Sequence, residues 1–331
     1  MTSPAPGVER IFDLATAFWR SSVLFTACEL GVFDALVQCP ATAAETAARL
    51  GASRRGVHAL LESCAAVGLL RKEGDRFANT AAAECCLTAS GAQSLLDTLR
   101  MQVGTVPLWQ RLTASVRSGE PAMPPADMLG GDPAATRRFV MAMHERARGV
   151  ARALVEAINL AGVGRLADIG GGPGTYAVLL AEKHPELRVT VLDLPPVLEV
   201  ARELLEGSEV RDRIELRACD ATRDELGGPF DAALVSGLLH RLDEDKCRKL
   251  FGRIHSALSG NGIVILNDLF ADGTRPEMAV LFGLQMLLTT REGRTHQLAD
   301  VKRWLAETGF DNVRTRTLPP PLPHSLVTAG R

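Results

Sequence analysis

Leu166-Ala167-Asp168-Ile169-Gly170-Gly171-Gly172-Pro173-Gly174-Thr175-Tyr176 reads as an apolar strand that enters a glycine turn and continues as a helix. Glycines at 170, 172 and 174 alternate behind an acid two residues upstream. Glycine serves where the backbone turns with φ above zero or lies close to a ligand. The pattern is D-x-G-x-G-x-G and differs from the G-x-G-x-x-G of dinucleotide-binding folds.

From Arg165 onward, short apolar runs alternate with helical segments. The runs are 165–169, 188–193, 213–218, 231–236 and 262–268, and the helical segments are 175–184, 196–206, 243–258 and 297–308. This alternation predicts an α/β domain, a mostly parallel sheet with helices on both faces. Two last runs, 312–317 and 325–329, joined through Pro319 to Pro323, fit a hairpin with one antiparallel strand. No internal repeat is present. Open parallel sheets bind ligands at the carboxyl ends of their strands. Asp168, Asp193, Asp220, Ser236 (with His240 four residues on) and Asp268 fall at such ends. One strand-end acid is ordinary; a series along one edge marks a site.

Asp193 follows Asp168 by 25 residues, a spacing that suits a carboxylate taking both ribose hydroxyls of an adenosine. Asp220 is placed to accept from an adenine amino group. A nicotinamide dinucleotide also needs a ribose acid, so Asp193 does not discriminate. Asp168 does: a carboxylate beside the loop repels a pyrophosphate but favours the ammonium of S-adenosylmethionine. S-adenosylmethionine is therefore the expected cofactor, with a nicotinamide dinucleotide and a purely structural turn as the competing readings.

The N-terminal half is mainly helical. Phe12, Leu14, Ala15, Phe18, Trp19, Val23, Leu24, Ala27 and Leu30 line a broad apolar face within 8–37, interrupted at Gly31. So apolar a helix at the start of a chain has little local core to cover, and a partner chain is one way to bury it. In 41–80, Thr42 opens a helix (43–50), Ser53 caps a second that Gly68 closes, and 69–77 reads as strand, turn, strand. That is a winged helix. Arg54, Arg55 and His58 suit DNA binding. Six basic against four acidic residues in this segment is a weak balance for a duplex reader and favours a dimerisation unit. Residues 92–160 are helical again. Trp109, Leu112 and Val116 share a face, a loop spans Pro121–Pro125 and Gly130-Gly131, and a long helix runs from Phe139 to Leu160. The expected domains are 1–95 for dimerisation, 96–160 as a helical linker and acceptor-pocket region, and 161–331 for cofactor binding and catalysis.

The 331 residues carry a net charge of −2, which gives no general attraction to nucleic acid or anionic membrane. The first seven residues lack the features of a signal peptide, and no apolar run reaches bilayer length. Seven cysteines without a C-x-x-C pair suit buried thiols in a cytoplasmic protein better than a zinc site or a disulfide frame.

Asp168-x-Gly-Gly-Gly-x-Gly, Leu192-Asp193-Leu194-Pro195, Cys219-Asp220 and Leu239-His240-x-Leu-Asp-Glu-Asp-x-Cys247 together resemble the S-adenosylmethionine-dependent small-molecule O-methyltransferases. That group includes plant caffeate and flavonoid enzymes, hydroxyindole O-methyltransferase and bacterial antibiotic-tailoring enzymes. The winged helix resembles their dimerisation domain, so the match covers nearly the whole chain. The resemblance implies a class I methyltransferase sheet and a homodimer whose first helices interlock and touch the partner's acceptor pocket. It also implies S-adenosylhomocysteine as product and a hydroxylated aromatic or polyketide-like acceptor, without a metal.

It places Asp168, Gly170, Gly172, Gly174, Asp193, Leu194, Asp220, Ala221 and Ser236 at the cofactor. It makes His240 the base, with Asp268 orienting it and Glu292 as a shifted second acid. A histidine titrating near pH ~6.5 suits that role. A helix-start cap is its bland alternative, as a surface strand-end acid is for Asp268. Phe139, Met143, His144, Met278, Phe282, Met286 and His296 are the acceptor-pocket candidates. Core packing competes for the helix 276–290, and a metal pair with His240 competes for His296. The chain departs from plant members at Arg241, where they carry Asp, at Ser236, where they carry Lys, and at Gly293, where Glu is expected. Some relatives bind the cofactor but carry out C-methylation, hydroxylation or pericyclic steps. A winged-helix ligand sensor that binds DNA is a further alternative.

Overall fold

The computed structural model describes residues 7–123, 131–271, 276–319 and 322–331. The expected tail at 1–6, most of the expected loop (124–130) and positions 320–321 of the final hairpin lie outside them. The chain divides into two compact units, the first ending at Gly104 and the second running from Thr105 to Arg331.

The first unit opens with α1 (Val8–Glu29) and α2 (Val32–Ala35), separated at Gly31, whose φ of 73° ends the first helix. A short β1 (Ala41–Thr42) leads into α3 (Ala43–Leu50). Here Thr42 accepts from the Glu45 N–H while the Glu45 side chain takes the Thr42 N–H, a reciprocal cap. The next helix, α4 (Arg54–Ala66), is capped by Ser53. The hairpin β2 (Leu70–Glu73) and β3 (Arg76–Asn79) then completes a three-stranded sheet in the order β1-β3-β2. After it come α5 (Ala81–Cys86) and α6 (Leu96–Gln110), the latter crossing the boundary between the units. Leu61, Cys64, Phe33 and Phe77 fill the core of this unit. Lys72 pairs with Glu62 and Arg76 with Glu45, so part of the basic charge of the winged helix is matched locally.

Along α1 only Ala27 is fully buried. Phe12, Leu14, Phe18 and Trp19 are each more than 60% exposed, and Phe18 meets Trp19 edge-on at 6.2 Å. Large apolar side chains in one such row mark an association surface.

In the second unit, α7 (Leu112–Ser118) follows a break at Arg111, so Trp109 and Leu112 do not share one continuous helix. The long helix α8 (Pro133–Ala157) starts six residues earlier than the expected 139. Asp132 caps it through the Ala134 N–H, and Pro133 occupies the first turn, where its missing N–H costs nothing. The order then runs β4 (Arg165–Ile169), α9 (Thr175–Lys183), β5 (Arg188–Asp193), α10 (Pro195–Leu205), β6 (Ile214–Ala218), β7 (Phe230–Ser236), α11 (Glu244–Ala257), β8 (Leu258–Asp268), α12 (Pro276–Thr289), α13 (Leu298–Glu307), β9 (Asp311–Thr317) and β10 (Ser325–Gly330). The sheet order is β6-β5-β4-β7-β8-β10-β9. The first five strands are parallel, and β10 lies antiparallel to both β8 and β9. One apolar core gathers α11 and α13 on the sheet and another gathers α8 and α9. Both faces are thus covered, as the continuous apolar strands require. The order reverses beside β4, so β4 and β7 diverge to a crevice at their carboxyl ends.

All seven cysteines are free thiols, and Cys39 is exposed, contrary to the expected burial. Among the described residues no helix is long and apolar enough to cross a membrane. The exposed row on α1 sets an expectation for solution. The protein runs at twice its 35.4 kDa chain mass in light scattering, and Phe18→Glu/Trp19→Glu shifts it to a single chain without loss of helical signal.

Candidate active site

The carboxyl ends of β4, β5, β6, β7 and β8 open into one cavity of about 410 Å³. Asp168, Gly170, Gly172, Asp193, Leu194, Asp220, Ala221, Ser236, His240 and Asp268 line it, together with Phe139 and Met143 from α8 and Phe282 from α12. Gly174, His144, Glu292, Met278, Met286 and His296 are not among its walls.

The glycine turn is shaped by what surrounds it. Gly170 has a φ of 65°, and its N–H donates to the Leu192 carbonyl at 2.8 Å, tying the turn to β5. A Cβ at Gly171 would lie 2.7 Å from the Asp168 carboxyl carbon and 2.9 Å from Val191, so no larger residue fits without displacement. Gly174 stands one step behind as the residue preceding α9, with a φ of 74°. Asp168 is fully buried and no hydrogen bond of normal geometry reaches either of its oxygens. Burial, and then the neighbouring Asp193 charge, push its pKa up to about 7 against the pull of the Ala177 N–H. A buried carboxylate without a partner is costly, and a cationic ligand group relieves it. The ammonium of S-adenosylmethionine supplies one, so these residues fit that cofactor.

Asp193 accepts from the Gly172 N–H through one oxygen and from the Leu194 N–H through the other, each at 2.7 Å. Burial raises its pKa, opposed by those two bonds and by the Arg241 charge. Each oxygen keeps a free lone pair for a hydroxyl. Arg241 also lines the cavity, and its charge acts on Asp193. Where plant members carry Asp, this chain therefore has a counter-charge to Asp193. Asp220 takes the Thr222 N–H and hydroxyl on one oxygen and Arg223 on the other. These contacts outweigh its partial burial and hold its pKa below the usual range.

Ser236 is held by Asn267, whose Nδ2 donates to the Ser236 hydroxyl at 2.8 Å and to the Tyr176 hydroxyl at 3.2 Å. Tyr176, the only tyrosine in the chain, lines the cavity, and burial pushes its pKa up to about 12. The sequence reading did not single out Tyr176 or Asn267, although they adjoin Thr175 and Asp268. A polar residue one place from a strand-end acid was the available signal.

His240 lies on a 3-10 turn (Leu239–Arg241) after β7. Its Nδ1 is 2.8 Å from Asp268 Oδ1, with the histidine side chain 13% exposed and the acid 3%. Asp268 also accepts from the Leu269 N–H at 2.8 Å and from the His240 N–H at 3.3 Å. Burial raises the Asp268 pKa, but the His240 charge and these bonds overcome it and hold the carboxyl below its ordinary value. An ionised Asp268 assigns the proton to Nδ1 and leaves Nε2 with its lone pair. The ring packs edge-on against Phe282 at 4.8 Å.

The remaining candidates sit elsewhere. Glu292 pairs with Lys246 at the surface, both side chains more than 40% exposed. The loop behind His240 explains why. A Cβ on Gly293 would lie 2.7 Å from the His240 carbonyl, and the Arg294 N–H donates to that same carbonyl at 2.8 Å. The loop backbone thus lies directly against the histidine's peptide, where no glutamate fits. His296 is buried; its Nε2 is 3.0 Å from both the Leu239 and Leu242 carbonyls, and its ring packs edge-on against Trp304. It fastens the turn that carries His240 and shapes neither the pocket nor a metal pair. Met278 points outward at 53% exposure, and Met286 is buried in packing. On α8, His144 bonds Thr175 through Nδ1 at 2.9 Å, behind the cavity wall.

An O-methyltransferase domain model matches residues 109–311, and an O-methyltransferase dimerisation domain model matches residues 12–89. A 3-hydroxy-5-methyl-1-naphthoate 3-O-methyltransferase of Streptomyces sahachiroi is 35% identical, over 92% of this chain and 89% of that protein. A tetracenomycin polyketide synthesis 8-O-methyl transferase of Streptomyces glaucescens is 34% identical over 94% of each. The crystal structure of human N-acetylserotonin methyltransferase in complex with S-adenosylmethionine superposes with a TM-score of 0.89 at 26% identity, covering 100% of this chain and 99% of that one.

One cavity group gives the site a pH signature. His324, before β10, has an unpartnered buried Nδ1. Burial lowers its pKa from 6.5 to about 4; Asp268 opposes this, and Arg146 and His240 add to it. The folded state therefore takes up this proton later than the unfolded chain does. Its contribution to stability is complete above pH ~6.5 and declines as pH falls towards about 4. His324→Gln is expected to flatten that part of a plot of Tm against pH; an acid limb identical to wild type contradicts the assignment.

Proposed function

The chain belongs to the S-adenosylmethionine-dependent O-methyltransferase family, and we propose that His240 is the general base that accepts the hydroxyl proton of an aromatic or polyketide-like acceptor. The observation that carries this is the 2.8 Å contact between His240 Nδ1 and the buried, ionised Asp268, in a ring that faces the cavity.

Bound S-adenosylmethionine supplies an electrophilic methyl group on a sulfonium. The protein's part is to hold the two reactants in line and to take one proton. Asp193 would bind the ribose hydroxyls, the open lone pairs of Asp220 the adenine amino group, and Asp168 the ammonium. Gly170 and Gly172 let the backbone approach them. Nε2 of His240 receives the proton, and Asp268 stabilises the resulting imidazolium as the third member of a triad does. Phe282, Phe139 and Met143 offer apolar contact to a flat acceptor. Most of the acceleration in this scheme comes from orientation. Relatives named for a 3-hydroxynaphthoate and for a tetracenomycin polyketide support this acceptor class. The same reading assigns residues 1–95 to dimerisation, 96–160 to the acceptor-pocket region and 161–331 to the cofactor, in a cytoplasmic homodimer.

The test separates binding from transfer. His240→Gln is expected to lower kcat about 10²- to 10⁴-fold while the Kd for S-adenosylhomocysteine, by calorimetry, stays at the wild-type value. Asp193→Ala should instead abolish that binding. Wild-type turnover in His240→Gln, with a hydroxyarene that the native protein methylates, rules out the base.

A further inference from the structure

The cavity holds a cation that pairs with no acid among the described residues. Arg146 lies on the face of α8 that also presents Phe139, Met143 and Val150 to the cavity. Solvent reaches it, yet the protein around it still lowers its pKa, with Tyr176 the only group drawing it back up. Among the described residues Arg146 makes no ion pair and no hydrogen bond.

Three of the four cavity carboxylates are engaged elsewhere. Asp268 is committed to His240, and Asp193 to two backbone N–H groups and the Arg241 charge. Asp220 is committed to Thr222 and Arg223, and Asp168, although unpartnered, is fully buried at the glycine turn and forms no ion pair with Arg146. A guanidinium in a largely apolar cleft is stable when an anion arrives, and its planar fork fits a carboxylate by two parallel hydrogen bonds.

His324 also lines the cavity, carries the unpartnered Nδ1 and feels the charges of Arg146, His240 and Asp268 together. It therefore shares a cavity wall with Arg146 and with the His240–Asp268 pair and is near enough for all three charges to act on it.

We propose that Arg146, assisted by His324, is a carboxylate-binding subsite for the acceptor, which is then a hydroxyaryl carboxylic acid whose acid group lies close to the hydroxyl presented to His240. This rests on the O-methyltransferase reading given above. Arg146 is a specificity residue and takes no part in the proton transfer.

The test uses 3-hydroxy-2-naphthoate and 2-naphthol, titrated by naphthalene fluorescence into the full-length protein saturated with S-adenosylhomocysteine. The naphthoate is expected to bind about 10- to 100-fold more tightly, the range for a charge-assisted contact. Arg146→Met closes that gap with the naphthol affinity unchanged, and Arg146→Lys restores part of it. Arg146→Gln serves if the methionine variant does not fold.

Equal affinities in the wild type overturn the proposal, as does a variant that weakens both ligands alike. An Arg146→Met protein that loses affinity for S-adenosylhomocysteine while keeping the naphthoate-to-naphthol ratio also overturns it, because the cofactor's own α-carboxylate is then the ligand. Methylated product, read by mass spectrometry in parallel samples with S-adenosylmethionine, tests the reaction separately. A binding gap without product upholds the subsite and counts against the O-methyl reading, whereas product without a gap does the reverse.

Discussion

A carboxylate buried at the end of a parallel strand without a protein partner is the constraint around which the second unit is arranged. Asp168 occupies that position between the chain turning at Gly170 and the side of β5. Its free energy is unfavourable until a cation stands beside it. Much of the neighbouring geometry supports that: the turn has no room for a Cβ at Gly171, and Asp193 is immobilised by two backbone N–H groups. The second acid lies near enough to raise the first. Two carboxylates crowded in this way disfavour a ligand that sets phosphate charge directly against the glycine turn, which separates a sulfonium amino acid from a dinucleotide.

The proposed base, His240, follows the neighbouring strand β7 and has its own support. Asp268 binds the ring and backbone of His240 together, and the turn that carries the histidine is pinned from behind by His296 and by the Arg294 N–H. Orientation here is set by a dense set of short polar contacts, not by loop sequence alone. The substitution of Gly at 293 is consistent with this, since the backbone itself fills the space.

The sheet was legible because strands buried on both faces are continuous apolar runs, and helices between them repeat at a different period. The boundaries of β4 and β5 and the caps at Thr42 and Ser53 follow directly from residue type. The start of α8 was placed late because the apolar pattern begins at Phe139, whereas the actual start is set by Asp132 and Pro133. At the site, strand-end acids could be read because their position depends only on strand ends. The pocket walls could be read only in part: Phe139, Met143 and Phe282 line the cavity, whereas His144, Met278, Met286 and His296 do not. Whether Met278, Phe282 or Met286 of α12 faces the cavity depends on the rotation of a helix that is apolar nearly all round, so periodicity does not choose. His296 resembled a pocket residue in sequence because a buried histidine that donates to two carbonyls leaves no local signature. Arg146 and His324 come from elements far apart in the chain, and only folding brings them together.

His296 has a consequence beyond holding a turn in place. It joins α13's packing, through Trp304, to the Leu239 and Leu242 carbonyls on either side of His240, and neither His296 nor Trp304 lines the cavity. The apolar cavity walls that Phe139, Met143 and Phe282 supply come from other elements, α8 and α12. Replacement of side chains on those walls therefore leaves His240 in register with Asp268. Such a fold can exchange one acceptor for another by drift at a few apolar positions, with the proton-handling apparatus inherited unchanged.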